Sequence, residues 1–127
     1  MSLNQQQMNR YSRHLMLDDV GESGQAKLLS SHVLVVGLGG LGSPVVLYLA
    51  AAGIGRLSLV DGDTVEESNL QRQVLYKMQD CGRLKVESAQ LALTELNPEI
   101  DVVTYAQDVS EDILSKGFDV VVDCTDN

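Results

Sequence analysis

Four short apolar runs, at 33–36, 57–61, 102–105 and 120–123, punctuate the chain. They are rich in valine and leucine and show no polar alternation, the pattern of strands buried on both faces of a sheet. Between them the period becomes that of a helix. Val86, Ala89, Leu93 and Leu96 mark one stripe over 82–96, with Asp80 placed to cap it and Pro98 beyond its end. Met8, Tyr11 and Leu15 stand at i, i+3 and i+7 over 5–17. Further helices are predicted over 25–29, over the leucine- and alanine-rich 40–52, and over 111–116, where Ser110 caps the start and Gly117 the end. Residues 62–79 have no clean period and read as a long loop carrying a short helical turn; loops of that length in a small α/β domain are usually functional. Strands alternating with helices predict parallel β-α-β units with right-handed crossovers, an α/β, Rossmann-like, mostly parallel sheet with flanking helices. The expected organisation is an N-terminal helical arm over 1–30 and an α/β domain over 31–127, incomplete at its C-terminus and forming the N-terminal portion of a larger domain.

The charge balance narrows the partners. Eighteen Asp and Glu against nine Lys and Arg give a net charge of -9, which argues against nucleic acid or an anionic membrane and makes any anion site local. The uncharged run from 33 to 55 is long enough to cross a bilayer, but glycines at 37, 39, 40, 42, 53 and 55 and Pro44 divide it into strand, turn and helix. Cys81 and Cys124 have no C-x-x-C pairing, so neither a zinc site nor a disulfide framework is suggested. With no secretory pattern at the N-terminus, a reduced, cytoplasmic protein is expected.

Gly37-x-Gly39-x-x-Gly42 follows a predicted strand and opens a predicted helix. Its glycines would permit a tight turn, close approach of a phosphate, and close packing of helix on strand, while the helix N-terminus offers free N–H groups to an anion. Asp61 ends the next strand, placed to accept hydrogen bonds from ribose hydroxyls. These features specify an adenosine nucleotide with phosphates and leave NAD and ATP both open. ATP used for adenylation must release pyrophosphate, which calls for fixed cations and a metal. Arg10, Arg13, Arg72 and Lys85 are candidate cations, and Asp126 is the candidate Mg²⁺ ligand.

Taken together, Arg10-Tyr11-Ser12-Arg13-His14, GLGGLGSP at 37–44, Gly53-Ile54-Gly55 leading to Asp61-Gly62-Asp63, Glu67-Ser68-Asn69-Leu70-Gln71-Arg72-Gln73, Lys85, Asn97-Pro98 and Asp123-Cys124-Thr125-Asp126-Asn127 resemble the ubiquitin-activating-enzyme-like adenylyltransferases, the ThiF, MoeB and HesA family. The resemblance implies that the C-terminal glycine carboxylate of a ubiquitin-like sulfur-carrier protein, ending in Gly-Gly, attacks the α-phosphate of Mg·ATP to give an acyl-adenylate and pyrophosphate. It assigns nucleotide contacts to Gly37, Gly39, Gly40, Gly42, Asp61, Asp63, Ser68, Asn69, Leu70, Gln71, Arg72, Gln73, Lys85, Asp126 and Asn127. Asn69, Arg72 and Lys85 would hold the phosphates, and Asp126 the metal. Arg13, acting in trans from the partner of a homodimer, would join Arg72, Lys85 and Asp126 as the catalytic set. Leu17-Asp18-Asp19 and Ser43-Pro44 look more like the thiamin-pathway member than the molybdopterin one. Relatives carry C-x-x-C zinc pairs; those ligands are absent from this chain, and the 127 residues alone are expected not to adenylate a carrier efficiently. Two rival readings are the NAD(P)-binding domain of an oxidoreductase and the non-catalytic half of a heterodimeric activating enzyme.

Overall fold

The valine-rich runs form the centre of the molecule. In the computed structural model, which describes residues 3–11, 21–71 and 73–125, strands β1 (His32–Val36), β2 (Arg56–Val60), β3 (Asp101–Tyr105) and β4 (Val120–Asp123) pair in parallel in the order β3-β2-β1-β4. Helices α1 (Gln5–Arg10), α2 (Gly21–Ser30), α3 (Gly42–Ala52), α4 (Lys85–Leu96) and α5 (Glu111–Leu114) flank the sheet, with single 3₁₀ turns at Glu67–Asn69 and Met78–Asp80. This is the Rossmann-like arrangement that the alternation of periods predicts.

Alternate strand residues feed two layers. Val33, Val35, Leu57 and Leu59 meet Val46 and Ala50 of α3 and Val86, Ala89 and Leu93 of α4. Leu34, Val36 and Val60 face the other way and meet Ile113 of α5. Each such side chain contributes about 1.5–3 kcal/mol when fully buried, so the sheet interior is the main stabilising element. Asn97 anchors the periphery. Fully buried after α4, its Nδ2 donates to Tyr11 Oη and to the Ala50 carbonyl, both at 2.8 Å, tying the end of α1 to α3.

Helix boundaries differ from expectation where local side-chain bonds decide them. Asp80 does not cap α4: its carboxylate accepts from Lys77 N at 2.8 Å and closes its own 3₁₀ turn, so α4 starts at Lys85 rather than at 82. α3 starts at Gly42 rather than at 40, α5 ends at Leu114, α2 begins at Gly21, and β2 ends one residue before Asp61. The loop over 62–79 contains one 3₁₀ turn and part of a second. α1 ends at Arg10, with Tyr11 as its C-cap; the remainder of the helix expected over 5–17 lies largely outside the described residues.

In this strand order, connections from β1 run to one side, toward β2 and β3, while β4 lies on the other. The carboxyl ends of β1 and β4 therefore flank a crevice of the kind in which open α/β sheets bind ligands. Among the described residues, no helix is long and apolar enough to cross a membrane.

Candidate functional site

A cleft of about 630 Å³ occupies that crevice. Its floor comes from the strand ends: Val36 and Gly37 after β1, Val60 and Asp61 after β2, and Cys124 and Thr125 after β4. Its sides come from Asp63, Asn69 and Gln73 of the long loop, Lys85 of α4, and Gln107 and Asp108 beyond β3.

The glycine turn is shaped by close packing. Gly37 has φ +94°, and a Cβ there would sit 3.0 Å from the Cys124 carbonyl group. A Cβ on Gly42 would collide with the Gly37 carbonyl oxygen, so the start of α3 lies directly on the end of β1. Gly39 lines the cleft. No hydrogen bond is made, among the described residues, by the N–H groups of Gly39, Gly40 and Leu41, which leaves donors free at the positive end of α3.

The turn is also bonded in place. Leu38 N donates to Asp61 Oδ2 at 2.8 Å, and Asp63 N donates to Asp61 Oδ1 at 2.8 Å. Asp61 thus fixes its own backbone surroundings and keeps one further lone pair on each oxygen for a ligand. The Leu38 carbonyl accepts from Tyr76 Oη at 2.7 Å and from Ser43 Oγ at 3.2 Å.

Two polar groups on the other side of the cleft have no partner among the described residues. Lys85 is buried, at 6% exposure, and its ammonium makes no hydrogen bond or ion pair among the described residues, its backbone N–H donating to the Asp63 carbonyl. Gln73, also buried, has its Oε1 unpaired. Buried polar atoms in folded proteins are nearly always satisfied, so two such groups lining one cleft point to a ligand. Asn69 Oδ1 accepts from Glu66 N at 2.9 Å, which closes the 3₁₀ turn and leaves its Nδ2 for other contacts. Cys124 is a buried thiol whose pKa is raised by burial and then by Asp123. Asp123 is held below the usual carboxylate range by hydrogen bonds from Thr125 Oγ1 and N. Among the described residues, no group of three His, Cys, Asp or Glu is arranged to hold a metal ion.

The chain matches the ThiF family over residues 11–127. It belongs to that family. The ThiF-family chain is 48% identical over 128 residues to the sulfur carrier protein ThiS adenylyltransferase of Escherichia coli, covering 98% of this chain and 51% of that protein. It is 53% identical over 123 residues to the adenylyltransferase and sulfurtransferase MOCS3 of Drosophila yakuba, covering 93% of this chain and 27% of the fly protein. Its fold superposes with a TM-score of 0.91 and 29% identity on the E. coli tRNA N6-threonylcarbamoyladenosine dehydratase TcdA in complex with ATP, across all of this chain and 53% of that one. The ThiF-family chain therefore spans about half, or less, of the length of these relatives.

Of the residues singled out in the sequence, Gly37, Gly39, Asp61, Asp63, Asn69, Gln73 and Lys85 come together at the cleft. Gly40 and Gly42 do not line it; Gly42 lies beneath the turn, against Gly37. Ser68 and Gln71 are exposed away from the lining, and Leu70 packs on the apolar core. Arg13, Arg72, Asp126 and Asn127 lie outside the described residues. Sequence reasoning missed Gln107 and Asp108, whose only signal was their position just past the end of β3, and gave no role to Thr125, although it stands in the Asp123–Asn127 segment that carries the resemblance.

Proposed function

We propose that this chain is the nucleotide-binding part of an adenylating enzyme, one that activates the C-terminal glycine carboxylate of a ubiquitin-like sulfur carrier with ATP. The observation that carries the reading is Lys85: a buried residue whose ammonium has no partner among the described residues, lining the same cleft as Gly39 of the glycine turn. That pairing suits a polyphosphate better than a dinucleotide, whose two phosphates stay intact and are largely met by backbone N–H groups. Gln73, Asn69 and Asp61 fit the same ligand as neutral and hydroxyl-directed contacts.

In this reading the chain needs no nucleophile of its own. The carrier's carboxylate oxygen attacks the α-phosphorus, the bond to the bridging α–β oxygen breaks, and pyrophosphate leaves with that electron pair. The chain's own residues align the phosphates and stabilise the developing charge. Mg²⁺ would neutralise charge on the phosphates when bound, with Asp126 assigned to it by family resemblance. Arg72 in the same chain and Arg13 from the second subunit of a homodimer complete the cation set by the same resemblance. Leu17-Asp18-Asp19 and Ser43-Pro44 favour the thiamin branch over the molybdopterin one. The enzyme acts in the cytoplasm, and the 127-residue chain alone adenylates its carrier poorly.

Calorimetric titration of the chain with ATP and with NAD, each with and without Mg²⁺, tests the reading. ATP is expected to bind in the micromolar range with Mg²⁺, and NAD at least tenfold more weakly. Tighter binding of NAD would replace this proposal with the oxidoreductase reading.

A further inference from the structure

Tyr76 is buried on the long loop, does not line the cleft, and has no part in the chemistry above. Its hydroxyl reaches the glycine turn across 38 residues of chain to donate to the Leu38 carbonyl at 2.7 Å. Ser43 Oγ donates to the same oxygen from 3.2 Å, and Leu38 itself is fully buried. The peptide joining Leu38 to Gly39 is therefore held by its carbonyl on the interior side. In a planar trans peptide the C=O and the following N–H point in opposite directions. The Gly39 N–H is thus directed away from Tyr76, and Gly39 lines the cleft.

We infer that Tyr76 is a positioning residue for the phosphate subsite: by holding the Leu38 carbonyl it aims the Gly39 N–H at the anion. The assignment rests on the nucleotide reading above. Its physical need is clear from the residue that follows. Glycine resists rotation of its flanking peptides less than any other residue, so an unheld peptide before Gly39 can turn its N–H away from the ligand. Asp61 holds the preceding peptide through the Leu38 N–H, so the two bonds lock both sides of one residue. Burial, with the Asp61 carboxylate next, keeps the Tyr76 phenol far above its ordinary pKa, and it stays a donor at any working pH. Tyr76 N also accepts its place from Gln73, donating to that residue's carbonyl at 3.2 Å. Tyr76 thereby links the glycine turn, through its side chain, to the loop that carries Asn69 and Gln73, through its backbone.

The test compares the affinities of ATP and adenosine for the wild-type chain, for Tyr76→Phe, and for Ile100→Val, a core change of similar size away from the cleft. Tyr76→Phe is expected to weaken ATP about three- to tenfold, the equivalent of one hydrogen bond, with adenosine changed less than twofold. Ile100→Val should leave both affinities alone. An unchanged ATP-to-adenosine ratio in Tyr76→Phe, or an equal loss of both ligands, would overturn the assignment. If Tyr76→Phe does not fold, amide exchange in the wild-type chain decides: ATP, and not adenosine, is expected to slow exchange of the Gly39 N–H, and a Gly39 amide unaffected by ATP would overturn the assignment. Failure of the wild-type chain to bind ATP would bring down the nucleotide reading itself, and this assignment with it.

Discussion

Lys85→Met separates a residue kept for binding from one kept for stability. Methionine preserves the buried stem and the backbone N–H that donates to the Asp63 carbonyl at 3.0 Å, and removes only the charge. In the free protein that charge is unfavourable twice over. The residue is 6% exposed, its ammonium has no partner among the described residues, and it sits at the first residue of α4, beside the positive end of the helix dipole. Relief of the dipole term alone gives about 0.3–1 kcal/mol, and partial relief of desolvation brings the expected gain to about 1 kcal/mol. For a domain of this size that raises Tm by about 4 °C. Binding moves the opposite way. Losing a charge-assisted contact of about 1.5–3 kcal/mol weakens ATP roughly 10- to 150-fold. At an ATP concentration of about 100 times the wild-type Kd, the ligand stabilises wild type by about 2.7 kcal/mol, and a variant bound 30-fold more weakly by about 0.9 kcal/mol. Thermal melts with and without Mg·ATP should thus show a ligand shift of about 11 °C in wild type and about 4 °C in the variant, the variant starting from the higher unliganded Tm. A variant that melts well below wild type without ligand, or that keeps the full ATP shift, refutes the reasoning.

Two further outcomes test the scaffold. Asn97→Ala strips hydrogen bonds from the buried Ala50 carbonyl and Tyr11 hydroxyl and should cost about 2–4 kcal/mol, read as a lower urea midpoint at unchanged m; a loss under about 1 kcal/mol counts against the anchor. His32, whose Nε2 lies 2.7 Å from Ser58 Oγ, has its pKa lowered from 6.5 by burial and then by Arg56, with Asp119 opposing. The unfolded chain therefore takes up the proton more readily than the folded one, so stability is full above about pH 6.5 and falls as pH drops through the folded value, and His32→Gln should flatten that slope in urea melts at pH 7.5 and 5.5.

How legible the molecule was depends on the range of the interaction that decides each feature. Strands were readable to within a residue: β1 and β2, buried along nearly their whole length, write continuous apolar runs into the chain, and β4 falls at Val120–Asp123 as expected although most of it is exposed, against the expected burial on both faces. Helix starts were readable where the capping side chain bonds its own helix, as Ser110 does ahead of Glu111, and not where it bonds elsewhere. Asp80 has the look of a cap for α4 and spends its bond on Lys77 N instead. At the site, Gly37 and Asp61 were readable because they end β1 and β2. Asp108 occupies the equivalent place after β3, in a segment without a telling residue type, and Thr125 the one after β4, inside a quoted motif in which only its neighbours were given roles. Tyr76 could not be read at all, since its one informative bond joins positions 38 residues apart.

An acidic chain that binds a polyphosphate looks self-defeating until the distances are compared. A surface carboxylate about 10 Å from the ligand repels each phosphate charge by roughly 0.4 kcal/mol in water, and salt reduces even that. A single ammonium about 4 Å away inside a partly buried cleft, at an effective dielectric near 20, attracts it by about 4 kcal/mol. The described lining of the cleft holds Lys85 and Gly39 beside Asp61, Asp63 and Asp108, and the Asp61 carboxylate is already engaged by the Leu38 and Asp63 N–H groups. Neutral N–H donors also add no repulsion among themselves, which lets several of them crowd around one anion where several lysines would not fit. Close contacts therefore count for more than distant surface charge, and the glycine turn is the part of the sequence that makes such crowding possible.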